Sequence, residues 1–202
     1  MTDATTTDPS LVLLSKMFAA ATEHASVAMS GWTSGQVSLS LDKVQEVPLE
    51  EASSFLEMGD DLLTMVVLGI QGDFGGQLIL TFDELNGRQL AAGLLGRDVN
   101  EESEWSALEQ SAIMETGNIL ASAYLNELTR LTGHQLSPTA PHFLQDYGAS
   151  VLEQAVMAQA MVSDHVMVCR TEFVFNNQAV NWNVVFVPCQ ELVDVMNQAL
   201  RA

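Results

Sequence analysis

The sequence predicts a single mixed α/β domain of the α+β kind, in which two long helices pack on a mainly antiparallel sheet of about six strands related by an internal pseudo-twofold duplication. Three observations lead there. The 202 residues are 48% apolar, enough for one substantial core without disulfide or metal staples. Stretches of helical period alternate with short runs of strand-forming residues. The order of those stretches in the first half recurs in the second at an offset of about 99 residues, and each half alone has too few strands to bury its own sheet.

Taken in order, Asp8-Pro9 pairs a capping residue with one suited to the first helical turn, and the Ala- and Met-rich run from Leu11 to Trp32 follows as the first long helix, closed by Gly31 and Gly35. QVSLSLD sets Val37, Leu39 and Leu41 on one side, the period of a half-buried strand, and LEEASSFL reads as a short helix. LLTMVVLGI and GGQLILTF flank Gly72-Asp73 and form a hairpin, after which NGRQLAAGLLG reads as another short helix. The second half runs through a long helix over 106–131, an extended stretch HQLSPTAPHF, a helix at SVLEQAVMAQAM, strands HVMVCRTEFVF and AVNWNVVFV, and a closing helix CQELVDVMNQALRA. Residues 1–10 are expected to be a flexible tail. Residues 11–202 then form the domain, with repeat halves 11–100 and 101–202.

Composition excludes several functions. With 26 acidic residues against 7 Lys plus Arg, the chain repels phosphate backbones and anionic lipid surfaces, so neither nucleic acid nor membrane is an expected partner. The start MTDATTTDPS lacks the basic end and apolar stretch of a signal peptide, and no unbroken apolar run could span a bilayer, which predicts a cytoplasmic protein with Cys169 and Cys189 reduced. His24, His134, His142 and His165 lack metal-ligand spacing, and Asp60-Asp61 lacks the further acids of a calcium loop, so no metal or cofactor bound by this chain is expected. Gly72, Gly75 and Gly76 sit in a hairpin turn with no G-K-[ST] sequence, which argues against a nucleotide loop. Trp32, Trp105 and Trp182 read as core or edge packing, and Met157 and Met161 as core filler.

The helix near 106–131 carries the chemistry. Ser106 and Glu109 have capping-box spacing, and Glu101, Glu102 and Glu104 precede them where the helix dipole favours negative charge. At 100° per residue, Ile113, Gly117, Leu120, Tyr124, Leu128 and Leu131 gather on one arc, while Ser111, Glu115, Asn118, Ser122 and Asn126 gather on the other. Mid-helix glycine costs roughly 1 kcal/mol relative to alanine, so Gly117 on the apolar arc implies a backbone packed closely against it. Periodicity alone would make Ser111, Glu115 and Asn118 a solvated face.

The string SALEQSAIMETGNILASAYLNELTRLTG, however, closely resembles the signature helix of the CheC, CheX and FliY phosphatase family, whose motif is Asp or Ser, three residues, Glu, two residues, Asn. Ser111, Glu115 and Asn118 occupy those positions. The match covers about 28 residues, and the layout and duplication over the remaining chain are similar to the family's. The resemblance implies a CheC-like fold and a hydrolase that dephosphorylates the phosphoaspartate of a CheY-like receiver, in chemotaxis or related two-component signalling. It implies that Glu115 pairs with a receiver lysine, that Asn118 orients the attacking water, and that magnesium is bound by the receiver. Ser111 either hydrogen-bonds the partner or shapes the surface. A CheD-like protein is a further implied partner, and family likeness leaves monomer and homodimer both open. The alternative is a non-catalytic adaptor of the same fold, binding a receiver, a CheD-like protein or the flagellar switch.

The first half departs from the motif. A shift of 99 sets Val12, Lys16 and Ala19 opposite Ser111, Glu115 and Asn118, and a shift of 96 sets Ser15, Ala19 and Thr22 there. Neither register keeps the acid or the amide, which predicts a single active site. The vacated face of Val12, Lys16 and Ala19 is read as a structural remnant in preference to a second binding surface.

Overall fold

A computed structural model gives the fold, described for residues 9–32, 35, 37–51, 62–99, 104–147, 150, 164–175 and 178–199. Of the expected tail 1–10, residues 1–8 lie outside these residues, as do Asp60-Asp61 and most of the expected helix at SVLEQAVMAQAM, with Met157 and Met161, whereas Pro9 and Ser10 are not tail but the first turn of the first helix.

Helix α1 (Pro9–Trp32) starts at the proline, as the Asp8-Pro9 pair predicts, and the chain turns away at Gly35, whose positive φ lets its N–H donate to the Ser30 carbonyl. Strand β1 (Val37–Pro48) outlasts the QVSLSLD pattern and runs into a 3₁₀ turn at Leu49–Glu51, the described start of the expected LEEASSFL helix. The hairpin forms as expected from β2 (Leu62–Gly72) and β3 (Gly76–Asp83). Helix α2 (Glu84–Leu95) begins two residues before the NGRQLAAGLLG pattern because the Asp83 side chain caps it through the Asn86 N–H, and Gly96 in the left-handed region ends it. Next come α3 (Ala107–Thr132), β4 (Leu136–Pro138), β5 (His142–Tyr147), β6 (His165–Phe175), β7 (Gln178–Pro188) and α4 (Gln190–Ala199). No described helix is long and apolar enough to cross a membrane.

The seven strands among the described residues make one antiparallel sheet in the order β1-β6-β7-β3-β2, with β4 and β5 both pairing β2. HQLSPTAPHF, expected as one extended stretch, is thus two strands in a single sheet position. Pro138 and Pro141 supply no N–H, and Thr139 bridges the interruption by accepting from the Gly69 N–H at 2.8 Å. Exchanging β1 with β4/β5, β2 with β6 and β3 with β7 merely reverses the order, the topological statement of the expected twofold.

Burial fixes the repeat register. A shift of 99 carries the buried Leu14, Met17, Phe18, Ala21, Thr22, Ala25 and Met29 of α1 onto Ile113, Thr116, Gly117, Leu120, Ala121, Tyr124 and Leu128, all buried in α3. A shift of 96 would carry buried Phe18 and Thr22 onto half-buried Met114 and Asn118. Volumes are exchanged across the axis: Phe18 answers Gly117, Tyr124 answers Ala25, and the two rings pack edge to face at 5.1 Å. The Tyr124 hydroxyl lies between Thr22 Oγ1 (3.1 Å) and Thr171 Oγ1 (3.2 Å), tying α3 to α1 and to β6 within the core.

The core joins α1 and α3 to Val66, Leu68 and Ile70 of β2, Leu78, Leu80 and Phe82 of β3, and Val184 and Phe186 of β7. The alternate residues Met65, Ile79 and Val185 are buried as well. Burial on both faces explains why LLTMVVLGI is apolar on both sides, save for the buried Thr64, where QVSLSLD alternates.

Candidate functional site

The apolar arc of α3 faces the sheet and the polar arc faces outward, as the 3.6-residue period predicts. Ser106 and Glu109 complete the capping box: the Ser106 hydroxyl accepts from the Glu109 N–H, and Glu109 Oε2 accepts from the Ser106 N–H at 2.8 Å. Midway, an added Cβ at Gly117 would lie 2.8 Å from Val66 Cγ1. The close packing expected at Gly117 is therefore present, but its partner is a side chain of β2, not a backbone.

Two of the three carboxylates of α3 are spent on the fold. Glu109 is buried, accepts from Ser106 and lies 3.8 Å from Arg88 Nη1. Burial pushes its carboxyl up, but the Ser106 side-chain and backbone hydrogen bonds and the charges of Arg97 and Arg88 outweigh this and hold it below its ordinary range. Glu127 is buried and accepts from Arg130 at 2.9 Å, with His24 Nδ1 3.0 Å away. Glu115 alone is exposed, and it makes no hydrogen bond or ion pair among the described residues.

Asn118, one turn further on, is half-buried and likewise has no hydrogen-bond partner among the described residues. Ser111 is exposed, and its hydroxyl donates to the Ala107 carbonyl at 2.7 Å. Its proton is thus used inside the helix, and only its lone pairs face outward. The three predicted site residues are brought onto one outward strip: an exposed carboxylate flanked by an acceptor hydroxyl and a free carboxamide. Such a set can bind an ammonium group and orient a water. Among the described residues no group of three or more His, Cys, Asp or Glu could hold a metal ion.

Sequence reasoning missed the cluster that fixes the start of this helix. Arg88 of α2 is only 4% exposed, donates through Nε to Glu84 at 2.9 Å and stacks 4.2 Å from the Trp105 ring centre. Glu84 also accepts from Trp105 Nε1 (3.0 Å), Thr64 Oγ1 (3.2 Å) and Gln145 Nε2 (2.9 Å), joining α2 to β2, β5 and the approach to α3. The signal was an Arg four residues after a Glu, at salt-bridge spacing on one helix. Trp105, expected as packing, is buried and packs on Phe143 at 5.1 Å.

On α1 the equivalents Val12, Lys16 and Ala19 are exposed, so the face persists while its acid and amide are absent. Thr22, the Asn118 equivalent in the other register, is buried and donates to the Phe18 carbonyl at 2.8 Å.

No family model matches the chain. It is 26% identical over 151 residues, covering 73% of this chain and 72% of the relative, to the CheY-P phosphatase CheC of Bacillus subtilis. The FliY structure from Thermotoga maritima superposes with a TM-score of 0.75 at 16% identity, covering 98% of both chains. A CheX-CheY-BeF3-Mg complex from Borrelia burgdorferi matches with a TM-score of 0.53 at 16% identity, over 86% of this chain and 96% of that one. These likenesses extend over most of the fold described above, including both repeat halves. The chain is thus similar in sequence to CheC phosphatases and in fold to FliY and CheX.

Proposed function

We propose that this chain is a hydrolase that removes the phosphoryl group from the aspartate of a CheY-like receiver domain, in chemotaxis or a related two-component system of the cytoplasm. The observation that carries this reading is the outward pair Glu115 and Asn118, without hydrogen-bond or ion-pair partners among the described residues, on a helix whose other carboxylates are buried and paired.

An acyl phosphate is already reactive, so its hydrolysis requires an aligned water more than a strong acid or base. Water oxygen attacks phosphorus, the bond from phosphorus to the aspartyl oxygen breaks, the carboxylate leaves with the bonding electrons, and the water's second proton passes to a phosphoryl oxygen of the inorganic phosphate released. Asn118 Oδ1 accepts a hydrogen bond from that water and aims it in line, while Nδ2 remains a donor. Glu115, one turn earlier on the same strip, holds a lysine ammonium of the receiver. Ser111 meets the partner as an acceptor, since its proton is committed to Ala107. The magnesium that neutralises the phosphoryl oxygens comes on the receiver, where the phosphate is.

Phosphate release from a panel of phosphorylated receivers, at matched magnesium and with and without the chain, tests this function. Acceleration for at least one receiver is expected. Phosphorylation-dependent binding with no acceleration for any receiver would favour an adaptor of receivers, a CheD-like protein or the flagellar switch.

A further inference from the structure

The outward strip of α3 is not wholly polar. Leu108, in the first turn, is 58% exposed, and its backbone is held by the capping box and the Arg88 cluster. At 100° per residue it lies about 20° from Glu115 and about 60° from Ser111, and Ile119 falls on the same line. Ile119, about 16 Å further along the helix axis, is half-buried against the core and adds a second apolar point to the strip.

The strip is also electrically quiet. In a chain of net charge −19, the stretch of α3 from Leu108 to Asn126 presents one exposed formal charge, that of Glu115. A phosphorylated acidic pocket can approach there with less repulsion than elsewhere on so acidic a chain, so the charge balance favours a phosphorylated receiver as occupant. In α1 the positions of Leu108 and Ile119 are taken by Pro9 and Ala20, so the apolar bulk is missing where the acid and amide are missing. The exposed valines of α1, Val12 and Val27, stand instead at the positions of Ser111 and Asn126.

We propose that Leu108 is the apolar contact through which α3 seats on the phosphorylated receiver, setting affinity while Asn118 sets turnover. This rests on the phosphatase reading and adds a specificity-determining residue to it. Leu108 touches the partner's surface and not the reacting atoms.

The test is steady-state phosphate release from receivers phosphorylated with acetyl phosphate, using the full chain. Leu108→Ala raises KM roughly tenfold with kcat within twofold of wild type, the behaviour of a contact made equally in ground and transition states. Leu108→Met recovers most of the loss, and Val27→Ala, an exposed apolar truncation on α1, moves neither parameter. An unchanged KM in Leu108→Ala, with wild-type turnover present, overturns the apolar contact and leaves the phosphatase reading standing. A fall in kcat as large as the rise in KM also overturns it, because Leu108 would then act in alignment. Absence of wild-type turnover on every receiver overturns the phosphatase reading and this inference with it.

Discussion

Replacing Gly117 by alanine adds one methyl group immediately before Asn118 in the chain, on the opposite arc of α3. That Cβ would stand 2.8 Å from Val66 Cγ1, 3.3 Å from Val66 Cβ and 3.7 Å from Leu68 Cδ1. Carbon atoms pack best at about 3.5–4.0 Å, so the helix and β2 must separate locally by roughly 0.7–1 Å. Val66 is fully buried and β-branched, with little rotamer freedom to yield. Overpacking of this kind costs about 1–3 kcal/mol, and the better helix propensity of alanine returns roughly 1 kcal/mol. The expected net loss of about 1 kcal/mol lowers Tm by about 2–4 °C in a domain of this size. Turnover should suffer more, because a displacement near 1 Å of a positioning group can cost on the order of a hundredfold in rate. Thermal unfolding beside single-turnover dephosphorylation reads both effects, and Val66→Ala placed in the Gly117→Ala background should restore much of kcat by vacating the space. A Gly117→Ala protein more stable than wild type, with unchanged kcat, would refute the close approach of α3 to β2 and the depth it gives Asn118.

Further outcomes follow from the repeat register and from Glu109. Substitutions of Lys16 and Ala19 should leave kcat/KM within twofold, measured by the same phosphate release; a large loss with the fold preserved would show that the α1 face takes part in the reaction. Because the folded-state pKa of Glu109 lies below its ordinary value near 4.5, its ionised form contributes stability above that pH, and the contribution fades as pH falls from there through the folded pKa. Urea unfolding of wild type and Glu109→Gln should therefore differ most near neutrality and converge in acid. A gap that widens as pH falls would contradict the depressed pKa.

Much of the fold was legible because its determinants are local. The Ser106-Glu109 spacing, the hairpin at Gly72-Asp73 and the two arcs of α3 each depend on residues a few positions apart, and each appears as the period requires. The register between the halves needed burial, since Val12, Lys16 and Ala19 lie on an exposed face where sequence drifts freely, whereas Phe18 and Thr22 are fixed by the core. Strand order, the pairing of Glu84 with Gln145 and Trp105, and the pressure of Val66 on Gly117 join residues far apart in the chain. No local pattern encodes them. Of the site, the strip itself was readable, but Ser111 donating to Ala107 and the burial of Glu109 and Glu127, which leaves Glu115 exposed, emerge only from tertiary geometry.

The central claim is a division of labour between two residues one turn apart, and it is tested most directly by measuring binding and turnover of one phosphorylated receiver with Asn118→Ala and Glu115→Ala side by side. Asn118→Ala should bind with nearly wild-type affinity and release no phosphate above the receiver's own rate. Glu115→Ala should lose about 2–5 kcal/mol of binding, the cost of truncating one partner of a charge pair, and regain turnover at high receiver concentration. Equal loss of affinity in the two variants, or persistent catalysis in Asn118→Ala, would contradict the account.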